Sequence, residues 1–266
     1  MSDSGVTGET HELAFEAFGV RIGFSTNEPQ LLSRFRDFIP PGSIPCDPAT
    51  VEQRFGLAAR NGDGFDLQLN DEWTIDYKDL ELALGLLDTH MCGYIAVHAT
   101  ERIFVHAGAV AHNGRLIVIP GMSFSGKSTL VAALVRAGAT YYSDDFAVLD
   151  EGGRVHPYPK PLSLRGKNLS QTTHTAQSLG GTVADQPERP SLIVLATYRP
   201  GADWEPRRLS SGEAVLGMLE NTVPARERPA ESMRAISRAV ENAVVLRGDR
   251  GEAEEFAPRL LAELDS

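Results

Sequence analysis

Residues 121–128, GMSFSGKS, are the stretch on which the fold turns. Glycine, four residues, then glycine, lysine and serine is the spacing at which successive backbone N–H groups can turn inward around a phosphate. The flanks have the form such a loop requires. The apolar run RLIVI at 115–119 reads as a buried strand, and KSTLVAALVRA at 127–137, closed by Gly138, reads as a helix. That helix would turn its positive N-terminal end toward the bound anion. Gly121, Met122, Ser123, Phe124, Ser125, Gly126, Lys127, Ser128 and Thr129 are therefore the candidate nucleotide-binding residues. Lys127 suits the β and γ phosphates, the Ser128 hydroxyl suits Mg2+, which prefers hard oxygen ligands, and Thr129 suits the α-phosphate. ATP and Mg2+ are the expected ligands, on an α/β fold.

Working outward, residues 141–149 (YYSDDFAVL) resume strand character after the helix and carry the pair Asp144 and Asp145. In a parallel sheet the strand after the loop's own helix brings its residues beside the γ-phosphate. One carboxylate can then hold Mg2+ while the other orients or deprotonates an attacking hydroxyl. Against this stands the plainer reading of an acidic pair ending a strand in solvent. Before the loop, RIFVHAGAVA at 102–111, a turn at Asn113-Gly114 and the apolar run 116–119 predict a hairpin that carries His106. A lone histidine on a strand is more often a packed, hydrogen-bonded residue than a catalytic one. After the acidic pair, Lys160, Arg165 and Lys167 form a basic cluster in an acidic chain, suited to neutralising phosphate charge or simply a solvated loop. The strand SLIVLAT at 191–197 ends in no acidic residue, which leaves Asp144 and Asp145 as the metal candidates.

Taken together, FVHAGAVA at 104–111, GMSFSGKST at 121–129 and YYSDD at 141–145 resemble the catalytic domain of HPr kinase/phosphorylase and its smaller relatives. The likeness spans roughly residues 100–166. It implies a serine kinase with the fold shared by HPr kinase and phosphoenolpyruvate carboxykinase. His106, Lys127, Ser128, Asp144 and Asp145 fall on the matching positions. By this resemblance Asp144 is the base toward the acceptor hydroxyl, Asp145 joins Ser128 nearer the metal, and His106 lies near the transferring phosphoryl group, with the two aspartates able to exchange roles. The sequence departs from that family at Ser163-Leu164-Arg165-Gly166, where serine stands in place of the signature glutamate, so reverse phosphorylase chemistry is not implied. The N-terminal region has no likeness to the regulatory domain of those enzymes. Related stand-alone kinases accompany genes for ribosomally made peptides, lasso peptides among them, and phosphorylate a serine there.

The remaining sequence divides around this core. Residues 1–10 are small, polar and acidic and read as a disordered tail rather than a secretory signal. Residues 11–78 predict a small α+β domain: a strand or hairpin over 13–24, a helix entered at Thr26-Asn27-Glu28-Pro29 and stopped by Pro40 and Pro41, a hairpin across 60–64, and a short strand at 73–75. The catalytic domain is expected over 79–266. It opens with an apolar helix from Leu80, whose Glu81, Asp88, His90 and His98 argue for burial in protein rather than in a membrane. Residues 150–190, rich in Gly, Pro, Ser and Thr, predict a long flexible loop, and the strands and helices beyond alternate to the end of the chain.

A chain of 266 residues with 42% hydrophobic and 23% charged side chains has globular composition. Its net charge of −11 disfavours binding to a nucleic-acid backbone. Two cysteines, Cys46 and Cys92, without paired or metal-ligand spacing fit a reducing cytoplasm. The expected activity is transfer of the γ-phosphoryl group of ATP to a serine or threonine hydroxyl of a protein or peptide. A small-molecule acceptor under a lid formed by 166–190, and a nucleotide-gated peptide-binding module without transfer, are the alternatives. Neither nucleic acid nor membrane is an expected partner, and the sequence defines no oligomeric state.

Overall fold

The computed structural model describes residues 10–60, 64–69, 73–122, 125–165 and 171–265, and the chain forms two compact units that divide between Thr100 and Glu101. Both are mixed α/β. In the first unit, β1 (His11–Ala17) and β2 (Val20–Thr26) form a hairpin, followed by α1 (Pro29–Arg36), which starts at a proline whose missing N–H is no loss in a first turn. The short β3 (Ile44–Pro45), then β4 (Gln53–Ala59), β5 (Phe65–Leu69) and β6 (Trp73–Tyr77) complete a sheet of order β3-β1-β2-β4-β5-β6. The helix α2 (Leu80–His98), capped by the Asp79 side chain at Leu82 N, packs on β4, β5 and β6.

That packing moves the expected domain boundary. Leu84, Leu87, Met91 and Ile95, spaced by three and four residues, are buried against the first sheet, so α2 closes the first unit instead of opening the second. Among the described residues α2 is the one helix long and apolar enough to span a bilayer by length and composition, and its buried face belongs to this core. Phe24 and Phe35 stack beside it at a centroid distance of 3.9 Å.

The second unit begins with the predicted hairpin: β7 (Ile103–His112) and β8 (Arg115–Pro120), joined through Asn113 and Gly114, both at positive φ as a type I′ turn requires. Helix α3 (Lys127–Arg136) follows, then β9 (Thr140–Ser143), β10 (Phe146–Leu149), β11 (Val155–His156), β12 (Leu162–Arg165) and β13 (Gln171–His174). The chain ends with β14 (Pro190–Tyr198), β15 (Arg207–Arg208), α4 (Ser211–Leu219), α5 (Pro229–Val240), β16 (Val244–Arg250) and α6 (Ala253–Asp265). The sheet runs β11-β10-β7-β8-β14-β16-β15, with β9 also on β7. The strands β8, β14 and β16 are parallel, and α3 with α6 covers one face while α4 with α5 covers the other. Leu130 through Val135 are all buried, which explains why α3 is apolar around its whole circumference.

Two expectations are corrected here. Residues 141–149 form not one strand but two, and both pair antiparallel with β7 instead of lying in a parallel sheet. The break comes from Ser143, whose Oγ accepts hydrogen bonds from the backbone N–H of Asp145 (3.2 Å) and of Phe146 (3.1 Å), turning the chain at the acidic pair. The region 150–190 is also more structured than its composition suggests. The strands β12 and β13 pair, Tyr141 N–H donates to Thr182 O at 2.8 Å, and Val155 exchanges hydrogen bonds with Glu188. Residues 166–170 of the expected lid, and the tail 1–9, lie outside the described residues.

Candidate active site

The strand β7 gathers the site because it has neighbours on both edges at His106 and Ala107. On one edge Ala107 faces Pro120, where the glycine-rich loop leaves β8, and Gly121 N–H donates to His106 O at 3.0 Å. On the other edge Phe146 faces His106, and Ala107 N–H donates to Asp145 O at 3.2 Å. The loop and the acidic bend are thus held two strands apart by one short backbone segment. Small residues make the approach possible: a Cβ on Gly108 would lie 2.5 Å from Val131 Cγ2 of α3. The alternation HAGA in β7 is therefore the seat of the helix as well as the carrier of the histidine.

Gly126 caps α3 in the left-handed region (φ 83°), and a side chain there would also collide with Arg250 Nη2, 2.7 Å from its Cβ position. Lys127 donates from Nζ to Met122 O at 2.8 Å, closing the loop upon itself. Burial pushes the Lys127 pKa down, while Asp145 first and then Asp144 oppose that shift. The Ser125 hydroxyl is buried in the loop with no hydrogen-bond partner among the described residues, a donor available to a bound anion. Met122 and Thr129 are exposed, and Ser123 and Phe124 lie outside the described residues.

The two aspartates differ sharply. Asp144 is 6% exposed and accepts a hydrogen bond from Tyr141 Oη at 2.8 Å, and the Ser128 hydroxyl lies close enough to favour its charged form. The same Tyr141 hydroxyl lies 2.8 Å from Lys160 O as well, so its one proton is shared between the two acceptors. Burial raises the Asp144 pKa, and the Ser128 and Tyr141 hydroxyls act in the opposite direction. Asp145 is exposed and close enough to Lys127 for their charges to interact. His106 stacks on Phe146 with centroids 4.8 Å apart, and its pKa is lowered first by burial and then by the nearby Lys127 charge. The imidazole is therefore held in its neutral form.

Asp144, Asp145, His106, Lys127 and Ser128 thus come together as the sequence pattern anticipates. Lys160 enters through its backbone carbonyl, while the Arg165 side chain lies outside the described residues. Three contributors went unnoticed in the sequence. Tyr141 steers Asp144. Asn221, through its carbonyl, fixes the His106 backbone N–H at 2.7 Å. Arg250 donates from Nη2 to Gly126 O at 3.1 Å. The alternation Leu246, Gly248, Arg250 was a usable signal for the last of these, since it continues the strand beyond Leu246.

The donor set fits a hydrated divalent ion with nucleotide phosphates: one hydroxyl and one carboxyl close together at the start of α3. Among the described residues no group of three or more His, Cys, Asp or Glu forms a closed metal cage, and Mg2+ shared with phosphates does not need one. No family model matches the chain, and no curated protein matches it significantly.

Proposed function

We propose that this chain is an ATP-dependent kinase of the HPr kinase-like type that phosphorylates a serine or threonine hydroxyl of a protein or peptide. The observation that carries the reading is Asp144 buried close to Ser128 at the start of the loop's helix, with Asp145 exposed and near the Lys127 charge. A glycine-rich loop alone would serve any nucleotide hydrolase. An acidic pair in which one member is buried near the metal-side hydroxyl and the other is exposed to solvent supplies both places a phosphoryl transfer needs.

The geometry favours the exchanged assignment of the two carboxylates. A base must reach the incoming hydroxyl. Asp144, buried beside two hydroxyls, suits the metal side with Ser128, and Asp145 suits the proton. Bound Mg2+ would supply charge neutralisation between the β and γ phosphates. Lys127 and the loop N–H groups orient the triphosphate, and Asp145 takes the hydroxyl proton as the acceptor oxygen bonds to the γ-phosphorus. The bond from γ-phosphorus to the bridging oxygen breaks, and ADP leaves with that oxygen. Neutral His106, near the Lys127 charge, would donate one hydrogen bond toward the transferring group.

The test is incubation with γ-labelled ATP, Mg2+ and a cell extract, followed by mapping of the labelled product. A labelled serine or threonine in a protein or peptide is expected. Label recovered only in a small metabolite, or no transfer at all while nucleotide binds, would reject the protein-kinase reading.

A further inference from the structure

The carboxyl ends of β8, β14 and β16 lie side by side, because β14 pairs in parallel with both of the others. In an open α/β sheet that edge is where ligands bind. The glycine-rich loop leaves β8 there, Tyr198 ends β14, and Arg250 ends β16 directly opposite Tyr198 in the register. Alternation along β14 places Tyr198 on the face of Leu192 and Val194, which pack in the same cluster as α3 and α6, and Arg250 follows Leu246 on that face. The ring therefore stands on the side of the sheet occupied by the loop's own helix.

Arg250 links the ring to the loop. It is 3% exposed, yet among the described residues no carboxylate forms an ion pair with it. It donates from Nη2 to Gly126 O (3.1 Å) and from Nη1 to Gly251 O (3.0 Å), and its Cζ lies 5.2 Å from the centroid of Tyr198. One guanidinium thus reaches from the phosphate cradle to the ring. Tyr198 is 42% exposed, and its hydroxyl donates to Glu252 Oε1 at 2.7 Å. With its tip tied and one face on a buried cation, the ring is a preformed flat surface whose orientation is fixed before any ligand arrives.

We propose that Tyr198 is the seat of the nucleotide's base, which stacks on the ring while the phosphates occupy the loop at Gly126. This rests on the nucleotide-binding reading of the loop. Stacking is tolerant of base identity because every base has a π-face. The ligand class is thus a nucleoside triphosphate selected by ring area, with purines ahead of pyrimidines and little separation of ATP from GTP.

Calorimetric titration of the full chain with ATP, GTP, CTP and inorganic triphosphate, each with Mg2+, tests this in wild type, Tyr198→Ala and Tyr198→Phe. Tyr198→Ala is expected to weaken ATP and GTP about tenfold and to leave triphosphate within about twofold, while Tyr198→Phe keeps all affinities within about twofold. Unchanged ATP affinity in Tyr198→Ala would overturn the proposal. So would an equal loss for ATP and triphosphate, which would make Tyr198 a support of the loop. If wild type binds triphosphate and only the base-dependent difference fails, the loop reading stands without this seat. If wild type binds neither ATP nor triphosphate, both fall.

Discussion

The Asp144 carboxyl at the β9–β10 bend lies close enough to the Ser128 hydroxyl at the start of α3 for that hydroxyl to favour its charged form, and this proximity ties the glycine-rich loop to the acidic pair. Replacing Asp144 with asparagine keeps the shape and removes the charge. The expected result is a raised Mg2+ requirement for nucleotide binding, read by titrating Mg2+ at fixed ATP. Asp145→Asn is expected to leave binding intact and to slow transfer by about 10²- to 10⁴-fold, the range of a lost general base. If Asp144→Asn alone stops transfer with an unaltered Mg2+ dependence, the roles revert to those the family resemblance implies.

Tyr141 places one hydroxyl between Asp144 Oδ1 and Lys160 O, both at 2.8 Å. Tyr141→Phe removes the one O–H that a buried carboxyl and a carbonyl share, a loss of about 1–3 kcal/mol in unfolding free energy. Urea denaturation should show this as a lower midpoint with unchanged slope.

Gly108 is fixed by the approach of α3 rather than by backbone conformation. A Cβ there would lie 2.5 Å from Val131 Cγ2, so Gly108→Ala should destabilise by about 1–3 kcal/mol through overpacking. Because the obstruction is one methyl group, Gly108→Ala combined with Val131→Ala should recover part of the loss. A double-mutant cycle measures that coupling, and strict additivity would contradict it.

His106 gives the pH dependence a defined direction. Its folded pKa is lowered, by burial first and by Lys127 second, so the unfolded chain binds the proton before the folded one does. Stability contributed by neutral His106 is present above its unfolded value of about 6.5 and declines as pH falls through that value toward the folded pKa. Urea midpoints at descending pH should fall more steeply for wild type than for His106→Gln. Parallel curves would mean that His106 titrates normally.

What was legible in the sequence was local. The strand, glycine-rich loop and α3 are contiguous, and the Asn113-Gly114 turn announces its own hairpin. What was not legible depends on partners distant in sequence. The break at Asp144 arises from a side chain capping backbone N–H groups, which strand periodicity does not register. Within 150–190, β11 is held by β10, β12 by β13, and Val183 and Glu188 by bridges to Tyr141 and Val155, pairings that the composition of this stretch does not announce. Arg250 and Tyr198 lie just past the points where the apolar runs stop, and only the parallel register of β14 with β16 brings them to Gly126. The sorting of Asp144 from Asp145 also required burial, since the two are neighbours of identical type.

The double neighbourhood of β7 also has a bearing on the order of assembly. Its partners β8, β9 and β10 all fall within residues 103–149, so the phosphate cradle, the histidine and the acidic bend arise from one uninterrupted stretch of chain with short loops to close. Arg250 is synthesised about a hundred residues after the loop it braces, at a vectorial rate of roughly 5–20 residues per second. During synthesis the nascent chain therefore presents the hairpin, loop and bend several seconds before the strand that backs them exists.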